Sequence, residues 1–389
     1  MPSKTLPNIL LMLLSSFLVV SAVLGCSAAS PLTPVEEAKI IEQSWLNATS
    51  TDRAGLEIQL ANLFRQNPQV ALAAIKNNDQ DKIRAFILKG MALAGHPDFS
   101  PAILWELRRP NGLHTQALVA ATMFGTPDLA HGVYPFLKSS NPKQTALAIG
   151  YFQRQPKLIE WSKLVPLLSS KEIPIQSALL GLLPHFPRPE SQKICRVATS
   201  DKALEIALGG VDCLETIARN HRPQLQHEKA EEALMEAFNH ASPDLKPAIV
   251  HSLGIIAPKK NRIWLEDLLE DKNMRVALAA LIVLQRFESP KTVPVLMKLI
   301  EKKTTILPRR LLIKSLGLTH DPRAVIFLGS RLKRGDVDQE DIQVLIEAMG
   351  DLGRLEGQTY LLPYLNHRNE IVREKANNAL QRIAARQLN

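Results

Sequence analysis

The stretch Leu318–Val325, LTHDPRAV, lies between two runs of apolar residues that have helical spacing. Its proline belongs to a series of prolines that each precede an apolar helical run, at separations of 29 to 36 residues. The members of this series are Pro68, Pro97, Pro127, Pro156, Pro187, Pro223, Pro258, Pro290 and Pro322. Such regular spacing indicates an internal repeat of about 30 residues.

The residue before several of these prolines favours the start of a helix. An N-cap side chain accepts a hydrogen bond from a free backbone N–H, and proline at the first helical position has no N–H to leave unpaired. The candidate N-caps are Asn67, Thr126, Ser289 and Asp321. We therefore predict that these prolines start helices and do not interrupt them.

Each repeat has room for two helices, because after Pro290 one apolar run starts at Val293 and a second starts at Leu307. The end of the second helix also recurs, in Ser252-Leu253-Gly254, Val283-Leu284-Gln285, Ser315-Leu316-Gly317, Ala348-Met349-Gly350 and Ala379-Leu380-Gln381. A single helical hairpin cannot bury its own apolar face, so it must stack on its neighbours. We predict an all-α fold, one continuous solenoid of about 10–11 stacked hairpins from Pro34 to Asn389.

The segment Tyr360–Gln387 resembles a HEAT repeat, in which a first helix is followed by Val-Arg and an alanine-rich second helix. The residues that carry the resemblance are Leu362, Leu365, Asn366, Val372, Arg373, Ala376, Ala379 and Leu380. A second copy is Trp264–Gln285, WLEDLLEDKNMRVALAALIVLQ. The pattern predicts well-formed repeats over 246–389 and degenerate HEAT-like repeats over 34–245. A tetratricopeptide array, with its 34-residue period, is the alternative, but its Trp, Gly, Tyr and Ala positions do not align around Trp264.

The resemblance to HEAT repeats implies a right-handed solenoid whose extended surface binds other proteins. It also implies that Arg275 and Arg373, at the starts of second helices, pair with acidic residues of the same or an adjacent repeat. These two arginines are therefore expected to stabilise the stacking of repeats.

The first 25 residues are predicted to be a signal peptide. The segment Asn8–Leu24 has no charged residue, and Val23-Leu24-Gly25-Cys26 resembles the bacterial lipobox. That resemblance implies cleavage before Cys26, lipidation of its thiol and a short tether over 26–33. Ser27, in place of aspartate, implies sorting to the outer membrane of a Gram-negative envelope, facing the periplasm. An uncleaved membrane anchor and an ordinary signal peptide are the alternatives.

Cys195 and Cys213 are the two remaining cysteines. In an exported protein a pair of cysteines suggests a disulfide. Two simple antiparallel helices joined near Ser200 would place the two cysteines at different heights along the helix axes, too far apart for a disulfide. A break of the second helix at Gly209-Gly210 could bring them together. A disulfide and two buried thiols both remain open.

The sequence contains no motif that predicts catalysis. It has no Gly-rich phosphate loop, HExxH, CxxC or GxSxG, and the single His227-Glu228 pair fits a solvated helix face. We therefore expect no enzyme activity, no cofactor and no metal site. An envelope enzyme or accessory factor is the weakest alternative.

The charge is concentrated in residues 246–334, here called the basic region, which has 18 Lys and Arg against 7 Asp and Glu. Candidate residues for binding an anion or a partner are Lys302, Lys303, Arg309, Arg310, Arg331, Lys333 and Arg334. Outside the cytoplasm the available anions are lipid head groups, polysaccharides and acidic proteins, not nucleic acid. The alternative is that these residues only solvate a long surface. The leading hypothesis is a non-catalytic, lipid-anchored scaffold or adaptor for envelope proteins, with anionic lipid or polysaccharide binding as the alternative.

The N-terminus of the mature protein tests the predicted membrane attachment. We expect intact-mass and peptide mass spectrometry to find residues 1–25 absent and Cys26 carrying a diacylglyceryl group and an amino-terminal acyl chain. A chain that begins at Met1, or one that begins at an unmodified cysteine, would contradict the lipoprotein prediction.

Overall fold

A computed structural model describes residues 32–220, 225–286, 290–302, 304–334 and 337–387. Within these ranges the regular structure consists of α-helices and short 3₁₀ turns, and there is no strand. The predicted all-α solenoid is confirmed. The predicted signal peptide and Cys26 lie outside the described residues, and the segment boundaries at 25, 33 and 245 remain predictions. Among the described helices, none is both long and apolar enough to span a bilayer.

The described residues divide into two compact units, one before and one after the boundary between Val133 and Tyr134. The first unit contains the helices α1 (Pro34–Asn47), α2 (Ser50–Gln66), α3 (Pro68–Lys76), α4 (Asp81–Ala94), α5 (Ser100–Arg108), α6 (His114–Phe124) and α7 (Ala130–Val133). Successive helices pair as hairpins, and α2, α4 and α6 pack side by side.

A buried ion pair lies inside the first unit, between α4 and α5. Arg84 is 1% exposed and Glu106 is fully buried, with Arg84 Nε 3.3 Å from Glu106 Oε2. Arg84 also donates to Asp81 at 2.6 Å, and Glu106 accepts a hydrogen bond from the backbone N–H of Leu113 at 2.6 Å. A buried charge needs such partners, because an unpaired one costs several kcal/mol.

The second unit continues the series of hairpins. Its helices are α8 (Pro142–Arg154), α9 (Trp161–Leu164), α10 (Ile173–Leu182), α11 (Pro189–Ala198), α12 (Leu204–Asn220), α13 (Leu225–His240), α14 (Lys246–Ile256), α15 (Arg262–Asp267), α16 (Met274–Arg286), α17 (Val293–Glu301), α18 (Arg309–Gly317), α19 (Pro322–Leu332), α20 (Gln339–Leu352), α21 (Gln358–Leu361) and α22 (Glu370–Gln387). The second helices of the hairpins, which carry even numbers from α8 to α22, form one layer and pack more extensively than the first helices.

Small residues set the close spacing of the second helices. A methyl group added to Gly254 would lie 2.2 Å from Val283 Cγ1, one on Gly317 would lie 2.7 Å from Ala348 Cα, and one on Gly350 would lie 2.8 Å from the next helix. The recurring tripeptide at the end of the second helix is therefore a packing motif. The third residue of one copy lies against the first residue of the next copy.

Gln285 occupies the glycine position of this motif on α16, and the packing there differs. Its side-chain amide donates to the Ser315 hydroxyl on α18 at 2.5 Å. The pair α16 and α18 packs less closely than the pairs on either side. A hydrogen bond between side chains thus takes the place of the close glycine contact at this junction.

The predicted role of proline is confirmed in part. Pro68 and Pro322 begin α3 and α19, and Pro97, Pro127 and Pro156 begin 3₁₀ turns. The prediction is wrong for Pro290, which lies in a turn before α17. Pro187 and Pro258 lie in a loop and a turn that precede α11 and α15, as their place before apolar helical runs indicated. Pro223 and Ser289 lie outside the described residues.

The N-cap prediction is confirmed in full only at Asp321, whose carboxylate accepts a hydrogen bond from the backbone N–H of Arg323 at 2.9 Å. Asn67 and Thr126 occupy the N-cap position, but their side chains make no capping hydrogen bond. The fixed φ of proline therefore starts these turns without help from the preceding side chain.

Replacing Gly350 by Ala tests the packing motif. Alanine normally stabilises a helix interior relative to glycine by about 1 kcal/mol. At position 350 we expect the opposite sign, a loss of about 1–3 kcal/mol in the free energy of unfolding, because α20 and α22 must separate.

Gly209→Ala in α12 is the matched control, since its new methyl group would meet only the flexible Leu180 side chain, at 3.0 Å. We expect this variant to be neutral or stabilised by up to about 1 kcal/mol. Equal effects of the two substitutions in denaturant titrations would count against the packing motif.

Candidate functional site

The residues proposed to bind anions lie at the ends of α17, α18 and α19. Arg310, at the start of α18, contacts three acidic residues at the start of the next second helix. Its Nε lies 2.6 Å from Asp341 and its Nη2 lies 3.4 Å from Asp338, and it also pairs with Glu340. Hydrogen bonds to Asp341 and Glu340 raise the pKa of the Arg310 guanidinium further above its ordinary value.

The other predicted anion-binding residues also have partners within the protein. Lys302 Nζ lies 2.6 Å from Glu270, Arg334 lies 3.7 Å from Glu301, and Arg309 donates to the Lys302 carbonyl at 3.1 Å. The side chains of Arg331 and Lys333 lie over the rings of Phe327 and Tyr360. Lys303 lies outside the described residues.

Three of the predicted anion-binding residues, Lys302, Arg310 and Arg334, therefore pair with acidic side chains about one repeat away. Pairs such as Arg310 with Asp341 are separated by 31 residues in sequence. That separation matches the repeat period, and it is the one sequence signal that could have predicted the pairing. Counting charges along the chain did not reveal it, because the acidic partners of Arg310 follow the basic region in the sequence.

The two arginines expected to stabilise stacking differ from each other. Arg275 lies 2.5 Å from Asp244, at the start of the preceding second helix, as the resemblance to HEAT repeats implies. Arg373 donates instead to the carbonyls of His367 and Arg368, at 2.8 and 3.2 Å. Arg275 thus links the starts of two neighbouring second helices, whereas Arg373 connects the start of α22 to the loop before it.

The structure joins Cys195 of α11 to Cys213 of α12 in a disulfide, with their Cα atoms 5.8 Å apart. The interpretation that Gly209-Gly210 breaks the helix is wrong, because α12 is continuous. Gly210 acts by close approach: a methyl group there would lie 2.8 Å from the Cys195 carbonyl oxygen. Helices α11 and α12 therefore touch backbone to backbone beside the disulfide.

The His227-Glu228 pair does not form a metal site. The Nδ1 atom of His227 lies 2.9 Å from the Ala218 carbonyl, so the ring joins α13 to α12. Within the described ranges no group of three or more His, Cys, Asp and Glu side chains has an arrangement that could hold a metal ion.

An open groove of about 470 Å³ lies between α10 and α11, and we call it the α11 groove. Its floor is apolar and includes Leu179, Leu180 and Ile206, which are buried. One side of α11 forms a wall, where Ile194 is half-buried and Val197 is 65% exposed. Gln176, Glu190, Lys193 and Asp201 form a polar rim with charges of both signs.

The α11 groove exists because the first helix of the preceding hairpin is short. Helix α9 has four residues, and Pro166 follows it in a 3₁₀ turn. If α9 continued as an α-helix past Pro166, this proline would leave one helical hydrogen bond unmade, so a longer α9 is unfavourable. Helix α9 makes little contact with α11, which leaves one side of α11 uncovered. The sequence analysis missed this groove, although Pro166 and the helical spacing of Glu190, Ile194 and Val197 are visible in the sequence.

Part of the chain matches a known family model. Residues 262–345, from the start of α15 into α20, match the model for HEAT repeats. This match supports a HEAT-repeat assignment for those residues. Among curated proteins, no sequence matches this chain.

Solved structures with a similar fold include large solenoids. Kap95, in the Kap95:Nup1 complex, has a TM-score of 0.58 and 11% identity, over 97% of this chain and 60% of that chain. A mutant of Kap121p has a TM-score of 0.50 and 13% identity, over 89% and 45%. The karyopherin Kap121p bound to the extreme C-terminus of the protein phosphatase Cdc14p has a TM-score of 0.50 and 13% identity, over 98% and 50%. This chain thus spans about half the length of these solenoids, and the likeness shows the fold.

Removing the disulfide tests its contribution to the α11–α12 hairpin. The two cysteines are 18 residues apart. Closing a loop of this length lowers the entropy of the unfolded chain, which raises the free energy of unfolding by about 3 kcal/mol. We expect the double variant Cys195→Ala, Cys213→Ala to lose about 3 kcal/mol of unfolding free energy under oxidising conditions.

A reductant provides the internal control in the same denaturant titrations. It should lower the stability of the wild-type protein by a similar amount and leave the double variant unchanged. If the reductant affects both proteins equally, or affects neither, the disulfide does not stabilise this hairpin.

Proposed function

We propose that this protein is a non-catalytic adaptor that is anchored by lipid in a bacterial envelope and binds a partner protein in the α11 groove. The observation that carries the proposal is the groove itself: an open, apolar-floored cleft of about 470 Å³ on a helical hairpin held by a disulfide. Lys302, Arg310 and Arg334 of the basic region already pair with acidic side chains within the protein. The α11 groove combines uncovered apolar surface with a concave shape.

The composition of the α11 groove suits an amphipathic segment of a protein. An apolar side chain of the partner would displace water from Leu179, Leu180 and Ile206, at about 25 cal/mol for each Å² of apolar surface buried. Glu190 and Lys193, on the rim, would orient the polar face of the same segment. Partner helices commonly bind other proteins in grooves of this kind.

The solenoid fold supports a role in binding proteins. Stacked hairpins present long surfaces to their partners. Among the similar structures, Kap95 is in a complex with Nup1, and Kap121p is bound to the C-terminus of Cdc14p. By analogy, this chain would bind a polypeptide segment along its surface.

The sequence around Cys26 supports attachment to a membrane. Three acyl chains on the mature N-terminus would anchor the protein stably, since one buried chain alone gives only marginal binding. Ser27 favours the outer membrane, with the folded protein in the periplasm. The Cys195–Cys213 disulfide fits such an oxidising compartment.

Anionic lipid or polysaccharide is the less favoured ligand. Binding an anion at Lys302, Arg310 or Arg334 would require each side chain to leave a carboxylate that it already contacts. A protein partner in the α11 groove has no such competition.

The substitution Val197→Lys tests the proposed partner site. It places a charge in the apolar wall but near the C-terminus of α11, where a cation is favourable for the helix. We expect the amount of partner recovered with the lipid-anchored protein from detergent-solubilised envelopes to fall about tenfold or more, as for an interface hot spot.

Ile326→Lys is the matched control. Ile326 is 68% exposed on α19, also the first helix of its hairpin, and lies outside the groove. Quantitative mass spectrometry should find the same partner with this variant as with the wild-type protein. Equal recovery with both variants, or equal loss, would refute the α11 groove as the partner site.

A further inference from the structure

A second pocket lies in the first unit, between α1 and α3, and it contains a buried carboxylate. It has a volume of about 290 Å³, and we call it the Glu42 pocket. The residues Val35, Ala38, Lys39, Glu42 and Gln43 line it from α1, and Val70, Ala73, Ala74, Asn77 and Asn78 line it from α3 and the loop that follows.

Glu42 is 4% exposed, and one hydrogen bond to its carboxylate is evident: the Asn78 amide donates to Oε2 at 3.0 Å. Within the described ranges no cationic group lies within ion-pair distance of Glu42. Its burial raises the pKa of Glu42, and the Asn78 hydrogen bond and the charge of Lys39 lower it by less.

This situation differs from that of the other buried acidic residues. Glu106 lies against Arg84, and Glu231 lies 3.1 Å from Lys260. A carboxylate that is removed from water without a cation is costly, and a cation that enters the site offsets that cost. A fourth buried acidic side chain, Asp321, lies 2.7 Å from Arg323. Glu42 lacks such a cation and lines a pocket of about 290 Å³.

The walls of the pocket indicate what kind of cation fits. The methyl groups of Ala38, Ala73 and Ala74 form an apolar surface that suits an alkyl stem, and the exposed side chain of Asn77 offers a polar group at the rim. The tether that follows Cys26, residues 27–33, contains no Lys or Arg. Lys39 lines the same pocket but lies beyond ion-pair distance of Glu42, so the site is open to a cation from another molecule.

We propose that the Glu42 pocket binds an alkylammonium group, the chemistry of a lysine side chain of a partner protein. The ammonium would pair with Glu42, and its alkyl stem would lie against the three alanines. This site belongs to the first unit and is separate from the α11 groove, so either site can fail experimentally without the other.

n-Butylammonium chloride is the probe, because it reproduces the end of a lysine side chain. Wild-type protein with ¹³C-methyl-labelled alanine is titrated at constant ionic strength, and the methyl resonances of Ala38, Ala73 and Ala74 are followed. We expect these resonances to shift saturably, with a Kd on the order of millimolar for so small a ligand. n-Butanol, which lacks the charge, should cause no saturable shift.

Two variants identify the group that recognises the ammonium. Glu42→Gln keeps the shape and the acceptor for Asn78 but removes the charge, so the Kd should rise about tenfold or more. Glu37→Gln removes an exposed carboxylate from the same helix and should leave the Kd unchanged. Lys39→Gln removes a competing cation and should lower the Kd.

The free Glu42→Gln protein should melt at the same temperature as the wild type or higher, because a buried charge is lost and no contact is removed. Three outcomes would overturn the proposal: no saturable shift with butylammonium, an equal Kd for wild type and Glu42→Gln, or equal shifts with butylammonium and butanol. A destabilised Glu42→Gln protein would also overturn it, since Glu42 would then be compensated in the free protein.

Discussion

The close approach of successive second helices is the constraint on which the second unit depends. Gly317 and Gly350 let neighbouring helices of one layer come within contact of each other's backbone, and Gly254 lies against the Val283 side chain of the next helix. Because this layer sets the distance between hairpins, the first helices need not match one another in length. They range from four residues in α9 and α21 to sixteen in α13, and the α11 groove lies on the hairpin that follows α9.

Electrostatic pairing follows the same geometry. Residues one repeat apart in the sequence become neighbours in space, so a run of basic residues finds its acidic partners about 30 residues away. Arg275 with Asp244 and Arg310 with Asp341 both show this separation. Exposed ion pairs of this kind contribute little stability each. Their larger effect is to occupy Lys302, Arg310 and Arg334, three of the cations that the sequence offers for binding an anion.

Much of the fold could be predicted from the sequence, because repetition encodes it. The regular prolines and the recurring tripeptide at the end of the second helix depend on contacts within a hairpin or with the next one. Single features were less predictable: Pro187, Pro258 and Pro290 precede their helices by two to four residues, because a turn intervenes. Proline restricts the backbone but does not by itself fix where a helix begins.

The candidate sites were the least predictable part. The α11 groove results from the small extent of contact between α9 and α11, and Pro166 and the helical spacing of α11 do not by themselves indicate a missing neighbour. The uncompensated charge of Glu42 depends on which residues of α1 face α3, and a single glutamate in a helical run normally indicates a solvated surface. The Cys195–Cys213 disulfide depends on close packing at Gly210, which the sequence alone did not distinguish from a helix break.

Site-specific photo-crosslinking in intact envelopes tests the proposed partner site most directly. A photoreactive amino acid would replace Val197 in one strain and Ile326 in another, and the crosslinked products would be identified by mass spectrometry. The adaptor proposal predicts that position 197 crosslinks in high yield to one envelope protein and that position 326 does not. Crosslinks of equal yield from both positions, or crosslinks from position 197 to lipid alone, would contradict it.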